Sequence, residues 1–204
     1  MSNAAASRAG PEPGPSVERV KVPLLAEVLA GESWSEAGSR RRVWADLGSA
    51  QSGLVDQLTG GRNRLIVADL PGALESADAQ WHIPDKRLDE TFWAEPIDCF
   101  LCWDLLNYMR PEQLADLSRR VAHRARVGSG VHALIQYSGT SMCRTPGRYR
   151  LEADGLLSVV PAGSPSTATP RYSPKALEKA MPELRVERTM LLNNGMQEFM
   201  FSVR

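Results

Sequence analysis

Residues 41–70, RRVWADLGSAQSGLVDQLTGGRNRLIVADL, decide the fold of this chain. The segments RRVWADLG and NRLIVADL are short apolar runs, typical of strands buried in a parallel sheet. Between them, Leu54, Val55 and Leu58 fall at helical spacing, and Gly60 and Gly61 end the pattern as helix-terminating glycines do. Strand, helix and strand within about 30 residues predict a βαβ unit.

The sequence beyond this unit continues the alternation. IDCFLCWDLL and GVHALIQYSG predict two more strands, and RPEQLADLSRRVAHRARVG between them predicts an amphipathic helix. Residues 141–170 read as an inserted loop or hairpin, called the insert below. YSPKALEKAMPE then predicts a short helix capped by Ser173, and two strands joined at Asn194 and Gly195 predict a hairpin. We therefore expect an α/β fold with a Rossmann-like, mostly parallel sheet, a C-terminal antiparallel hairpin and helices on both faces.

The N-terminal segment differs in composition from the rest of the chain. Residues 1–15 are rich in Ala, Gly, Pro and Ser, which predicts a disordered tail, and Ser2, Asn3 and Ala4 match a cloning remnant. Ser16 is placed to cap a helix that Pro23 interrupts. We expect one domain over residues 16–204.

Composition narrows the class of protein. With 43% hydrophobic and 24% charged residues, the 204-residue chain is ordinary for a globular protein. A net charge of zero gives no indication of a nucleic-acid partner, although a balanced total leaves room for a local basic patch. No apolar run reaches the roughly 20 residues of a membrane span, so a cytoplasmic location is expected. Cys99 and Cys102 form a CxxC motif, but zinc would need a second pair of ligands, so two buried thiols are expected and no metal site.

Several segments together carry a resemblance to a known family. DLGSAQSG, LIVADL, IDCFLCWDLLNYM and LRVERTMLLNNGMQEFMF resemble the class I S-adenosylmethionine-dependent methyltransferases, over residues 43–204. WDLLNY and NGMQE are also similar to segments of small bacterial proteins of this type. The resemblance implies S-adenosylmethionine as cofactor and a small-molecule or unknown methyl acceptor.

The resemblance also implies a set of cofactor-binding residues. Asp46, two positions before Gly48, would orient the ammonium end of the ligand, and Asp69 would accept hydrogen bonds from the ribose hydroxyls. A glycine at the strand end lets backbone N–H groups approach the ligand, and the following helix start favours its carboxylate. The implied set is Asp46, Gly48, Ser49, Ala50, Gly53, Asp69, Leu70 and Trp103.

The loop departs from the family pattern. The second and third glycines fall on Ala50 and Ser52, and Gly53 comes one position late. The acidic residue that meets the adenine is not fixed, with Asp85 and Asp89 as candidates. One alternative is therefore a methyltransferase-like domain without cofactor that acts through protein partners. Another is an NAD(P)-binding protein, because GSAQSG also matches the G-x-A-x-x-G fingerprint.

The catalytic residues are less defined by sequence. Asp104, after the third strand, is a candidate proton acceptor or a helix cap. His132 is a candidate for proton transfer or a core histidine. Glu198 lies in an apolar strand, at an edge, facing the site or pointing outward. The insert is expected to form a lid on the acceptor side.

Overall fold

The computed structural model describes residues 17–31, 40–48, 51–58, 61–71, 95–161, 163 and 166–204. Its strands are β1 (Glu18–Lys21), β2 (Arg42–Asp46), β3 (Asn63–Val67), β4 (Ile97–Leu101), β5 (Ala125–Gln136), β6 (Ser141–Met142), β7 (Arg148–Leu151), β8 (Leu156–Val160), β9 (Thr167–Ala168), β10 (Leu184–Leu191) and β11 (Met196–Val203). Its α-helices are α1 (Pro23–Ala30), α2 (Leu54–Gln57), α3 (Pro111–Arg124) and α4 (Pro174–Ala180), and Leu105–Tyr108 and Ala153–Gly155 form 3₁₀ turns.

A six-stranded sheet forms the centre, in the order β10-β11-β5-β4-β2-β3. β2 runs parallel to β3 and to β4, and β4 runs parallel to β5. β11 inserts antiparallel between β5 and β10, and the turn before it contains Asn194 and Gly195. All five residues of β4 are buried, which explains why its sequence is apolar without alternation except at Asp98, whose carboxylate accepts from Val43 N and pairs with Arg40. The mixed α/β sheet predicted from sequence is confirmed.

The sheet buries a core on each face. On one face, the apolar stripes of α3 and α4 pack against alternate sheet residues through Leu114, Leu117, Val121 and Leu177. On the other face, α1 and a three-stranded sheet of order β1-β8-β7 cover Trp44 and Leu101 among others. Both faces of the central sheet are thus covered.

The insert contains the hairpin of β7 and β8, which turns at the 3₁₀ turn Ala153–Gly155. β1 pairs antiparallel with β8, and the short strands β6 and β9 pair with each other. The helix expected to start near Ser16 is therefore wrong for residues 18–21. Pairing with β8 holds those residues extended, and Pro23, at the first turn of α1, begins the helix rather than interrupting it.

The structure also fixes the boundaries of the other predicted helices. The helix expected to continue to Gly128 ends at Arg124, because Ala125 already pairs with Ile97 of β4. α4 starts as predicted, since the hydroxyl of Ser173 accepts from the N–H of Ala176. The predicted tail at residues 1–15 lies outside the described residues. Within the described ranges, no helix has the length and apolarity needed to cross a membrane.

Candidate functional site

The carboxyl ends of β2, β3 and β4 meet at one edge of the sheet, where open α/β sheets bind ligands. Asp46 ends β2, Asp69 lies two residues beyond β3, and Trp103 and Asp104 follow β4 closely. The ends are tied together by backbone hydrogen bonds, from Leu47 N to Leu101 O at 2.9 Å and from Ala68 N to Asp46 O at 2.8 Å.

Asp46 is fully buried at this edge. Its Oδ1 accepts hydrogen bonds from the N–H of Gly48 at 2.8 Å and from Nε1 of Trp103 at 2.7 Å. Among the described residues, Oδ2 has no hydrogen-bond partner. Burial raises the pKa of Asp46, while the side chains of Ser52 and Trp103 and the Gly48 amide favour the ionised form. The carboxylate therefore keeps one oxygen able to accept a hydrogen bond.

Gly48 provides a cradle that the Trp103 indole fills. A Cβ placed on Gly48 would lie 2.4 Å from Cδ1 and 2.7 Å from Nε1 of Trp103, closer than real contacts allow. Trp103 has a φ of 49°, a left-handed conformation that is a genuine outlier for a bulky residue. The chain thus adopts an unfavourable backbone conformation where the indole lies against the loop.

The insert supplies a second aromatic side chain. Tyr149 of β7 stacks on Trp103, with ring centroids 5.6 Å apart and planes 7° apart. Leu151 N donates to Ser52 O at 2.7 Å. A Cβ on Gly53, whose φ is 72°, would lie 2.6 Å from Leu151 O. Gly53 therefore permits close contact between the loop and the insert.

Asp104 connects the end of β4 to the insert. Its Oδ2 accepts from Gly147 N at 3.0 Å and lies 3.5 Å from the hydroxyl of Tyr108, which donates to Thr145 O at 2.9 Å. Burial raises the pKa of Asp104 to about 6, although the Gly147 amide and the Tyr149 hydroxyl favour ionisation. Within the described part of the chain, Oδ1 of Asp104 has no hydrogen-bond partner.

These side chains leave little space between them. A cavity of about 10 Å³ is lined by Gly48, Trp103, Asp104, Gly147 and Tyr149 among others. That volume holds roughly one water molecule, whereas pockets for ligands of drug size measure about 300–1,000 Å³. In this conformation the described residues close the site.

His132, the second catalytic candidate, lies deeper in the sheet. It is fully buried, its ring meets Trp103 edge-on at 6.3 Å, and its Nε2 is 3.0 Å from Oε1 of Glu198. Glu198 also accepts from the backbone N–H groups of Leu24 at 3.1 Å and Leu25 at 2.9 Å. His132 does not line the cavity, and its predicted role in proton transfer stays a prediction.

Glu198 is the residue whose role sequence reasoning missed. Its carboxylate caps the N-terminus of α1, where the first N–H groups of a helix lack partners. One signal in the sequence pointed to it, an acidic residue within an apolar strand. The structure adds that Val22, not Ser16, occupies the N-cap position of α1, which therefore begins without a side-chain cap of its own.

The remaining predicted residues fall into separate places. Leu70 is buried in the core shared with α3, and Asp69 adopts a φ of 46° beyond β3. Ser49 and Ala50 of the loop, and Asp85 and Asp89 as adenine candidates, lie outside the described residues.

The two cysteines of the CxxC motif lie on opposite faces of the sheet. Cys99 belongs to the core covered by α1 and Cys102 to the core covered by α3. Burial raises the pKa of the Cys102 thiol to about 12 and also raises that of Cys99. Across the described residues, no group of three or more His, Cys, Asp or Glu side chains is placed to hold a metal ion.

Comparison with known proteins rests on structure. No family model and no curated protein matches the sequence. An S-adenosylmethionine-dependent methyltransferase from Clostridium acetobutylicum ATCC 824 is similar with a TM-score of 0.51 at 13% identity, over 87% of this chain and 90% of that chain. The N-methyltransferase NodS from Bradyrhizobium japonicum WM9 is similar with a TM-score of 0.50 at 14% identity, over 89% and 95%. The chain therefore has the α/β fold seen in these methyltransferases.

Proposed function

We propose that this chain is an S-adenosylmethionine-dependent methyltransferase acting on a small-molecule acceptor. The observation that carries the proposal is Asp46, a buried carboxylate at the carboxyl edge of the sheet whose Oδ2 lacks a partner among the described residues. Leaving a buried acceptor unsatisfied costs about 1–3 kcal/mol, so a ligand that brings a hydrogen-bond donor to this point is favoured.

The donor and acceptor groups at the edge fit the chemistry of the cofactor. An ammonium group suits Asp46, and the carboxylate of Asp69, beyond the neighbouring strand, suits ribose hydroxyls. The bound cofactor would supply the activated methyl group, and the protein would align the acceptor and exclude water. The cavity is too small for the cofactor in this conformation, because the Trp103 indole lies against Gly48.

Asp104 is the residue of this chain best placed to take a proton from an acceptor. It lines the cavity, its Oδ1 has no partner among the described residues, and a pKa of about 6 leaves it mostly ionised at neutral pH. We assign this role to Asp104 rather than His132, since the His132 Nε2 is engaged by Glu198.

The test is calorimetric titration of S-adenosylhomocysteine, the demethylated product, into the wild type and into Asp46→Asn and Asp69→Asn. We expect each variant to bind about 10- to 150-fold more weakly, the loss expected from a hydrogen bond to a charged group. Asp116→Asn is the matched control, because Asp116 pairs with Arg119 and Arg120 on the surface of α3. Equal affinity in all four proteins would refute the assignment of the site.

A second candidate function is a methyltransferase-like domain that works without cofactor, through protein partners. It is favoured by the indole of Trp103, which lies against Gly48 and donates to Asp46. No binding of S-adenosylhomocysteine to the folded wild type, or to a folded variant with a smaller residue at position 103, would favour it. We do not extend the proposal to NAD(P), because the buried carboxylate of Asp46 would repel a pyrophosphate.

A further inference from the structure

We infer that Trp103 and Tyr149 form an internal plug in the cofactor site, with the Trp103 indole N–H in the place of the cofactor's ammonium group. Cofactor entry then requires the indole to leave Asp46 and residues 145–151 of the insert to move. This inference rests on the proposed function and concerns the regulation of the same site.

The first support is the match between the indole and a ligand donor. Nε1 of Trp103 donates to Oδ1 of Asp46 at 2.7 Å, in the short range typical of charge-assisted hydrogen bonds. The ring also lies where a side chain on Gly48 would be excluded. A glycine at a strand end permits close approach of a ligand, and here it permits close approach of the protein's own indole.

The second support is the backbone of Trp103. A tryptophan with φ of 49° is an outlier, and such residues cluster at ligand sites and switches. The conformation is held by the neighbouring strand β5, since Trp103 O accepts from Leu134 N at 2.7 Å and Cys102 N donates to His132 O at 2.8 Å.

The third support is the way in which the insert holds the plug. Tyr149 stacks on one face of the indole, and Asp104 and Tyr108 bind the insert backbone at Gly147 and Thr145. All of these contacts join the insert to the end of β4, so releasing the plug means releasing the insert. The closing elements are ordered strands, β7 and β8, which pair antiparallel with each other.

The experiment observes the indole directly. In ¹⁵N-labelled protein, we expect the indole N–H of Trp103, assigned with Trp103→Phe, to exchange slowly with solvent, and to shift when S-adenosylhomocysteine is added. Trp103→Ala should bind that ligand about 30-fold or more tightly than the wild type, because the wild type must first break an indole–carboxylate bond and an aromatic stack. Trp103→Phe, which loses the N–H donor and part of the ring but keeps an aromatic side chain, should have an intermediate affinity, and it carries the test if Trp103→Ala does not fold.

Trp44→Phe is the matched control. Trp44 is buried on the same face of the sheet, and its indole donates to Asn63 Oδ1 at 3.1 Å, so the change costs a similar contact away from the cavity. Its affinity for S-adenosylhomocysteine should equal that of the wild type.

The outcomes separate the two proposals. Equal affinity of the wild type and the Trp103 variants would overturn the plug and leave the proposed function standing. Exchange of the Trp103 indole N–H at the rate of an exposed indole would overturn the plug whatever the ligand does. Absence of binding to the wild type and to both folded Trp103 variants would overturn the proposed function, and the plug with it.

Discussion

Replacing Asp104 by Asn should stabilise the protein more at alkaline pH than at acid pH. The quantity compared is the free energy of unfolding of the variant minus that of the wild type. The pKa of Asp104 rises from 3.8 to about 6 because the carboxyl is buried, so its ionisation in the folded protein costs about 3 kcal/mol more than in the unfolded chain. Below the unfolded pKa the carboxyl is protonated in both states. As the pH rises through the pKa of Asp104 in the folded protein, the wild type loses the stability that the protonated, buried carboxyl had contributed.

Asparagine has no such titration and keeps an oxygen that can accept from Gly147 N. The free energy of unfolding of Asp104→Asn minus that of the wild type should therefore rise by about 2–3 kcal/mol between about pH 4 and pH 8. Urea denaturation at several pH values measures it. Asp116→Asn serves as the surface control. A difference that changes by less than about 0.5 kcal/mol would refute the burial of Asp104 by the insert.

Substitutions at three further positions test packing in and around the site. Glu198→Ala should lower the free energy of unfolding by about 3–5 kcal/mol, because alanine leaves the N–H groups of α1 and a buried histidine without a partner. Glu198→Gln should lower it by less, and equal losses in the two variants would contradict the cap. Gly48→Ala should cost about 1–3 kcal/mol through its clash with Trp103, and most of that cost should disappear in a Trp103→Ala background; an undiminished cost in urea unfolding would contradict the cradle. Gly53→Ala should cost more than about 1 kcal/mol, since its φ is 72° and its Cβ would meet Leu151 O, and a neutral result in thermal unfolding would contradict this contact.

The parts of the fold that the sequence predicts are those with local signals. Apolar runs located β2, β3 and β4, helical spacing located α3, and Asn194 and Gly195 marked the final hairpin. β2 and β4 are buried as predicted, whereas β3 is only partly buried. These signals suffice because each reports the burial of one segment or the geometry of one turn.

The parts that escaped prediction depend on partners distant in the chain. Residues 18–21 were predicted to be helical. They are extended because they pair with β8, and the local sequence does not show this partner, since β8 lies far away in the insert. Asp46 and Gly48 were predicted at the site, but the bond from Trp103 to Asp46 joins residues 57 apart in the sequence. The sequence pattern does not show that the Trp103 indole lies against the loop, because this position depends on the rare φ of Trp103.

The cap on α1 also has a consequence for the order in which the chain folds. Leu24 and the carboxylate of Glu198 that caps it are separated by 174 residues, and β1 likewise waits for β8. During synthesis, β1 and α1 emerge early, but β1 has no strand partner until β8 has been made, and α1 has no cap until β11 has been made. Such long-range pairing slows folding and leaves apolar surface exposed meanwhile. A nascent chain that lacks β11 therefore also lacks the carboxylate that caps α1, and we expect the first turn of α1 to become stable only after β11 has paired with β5.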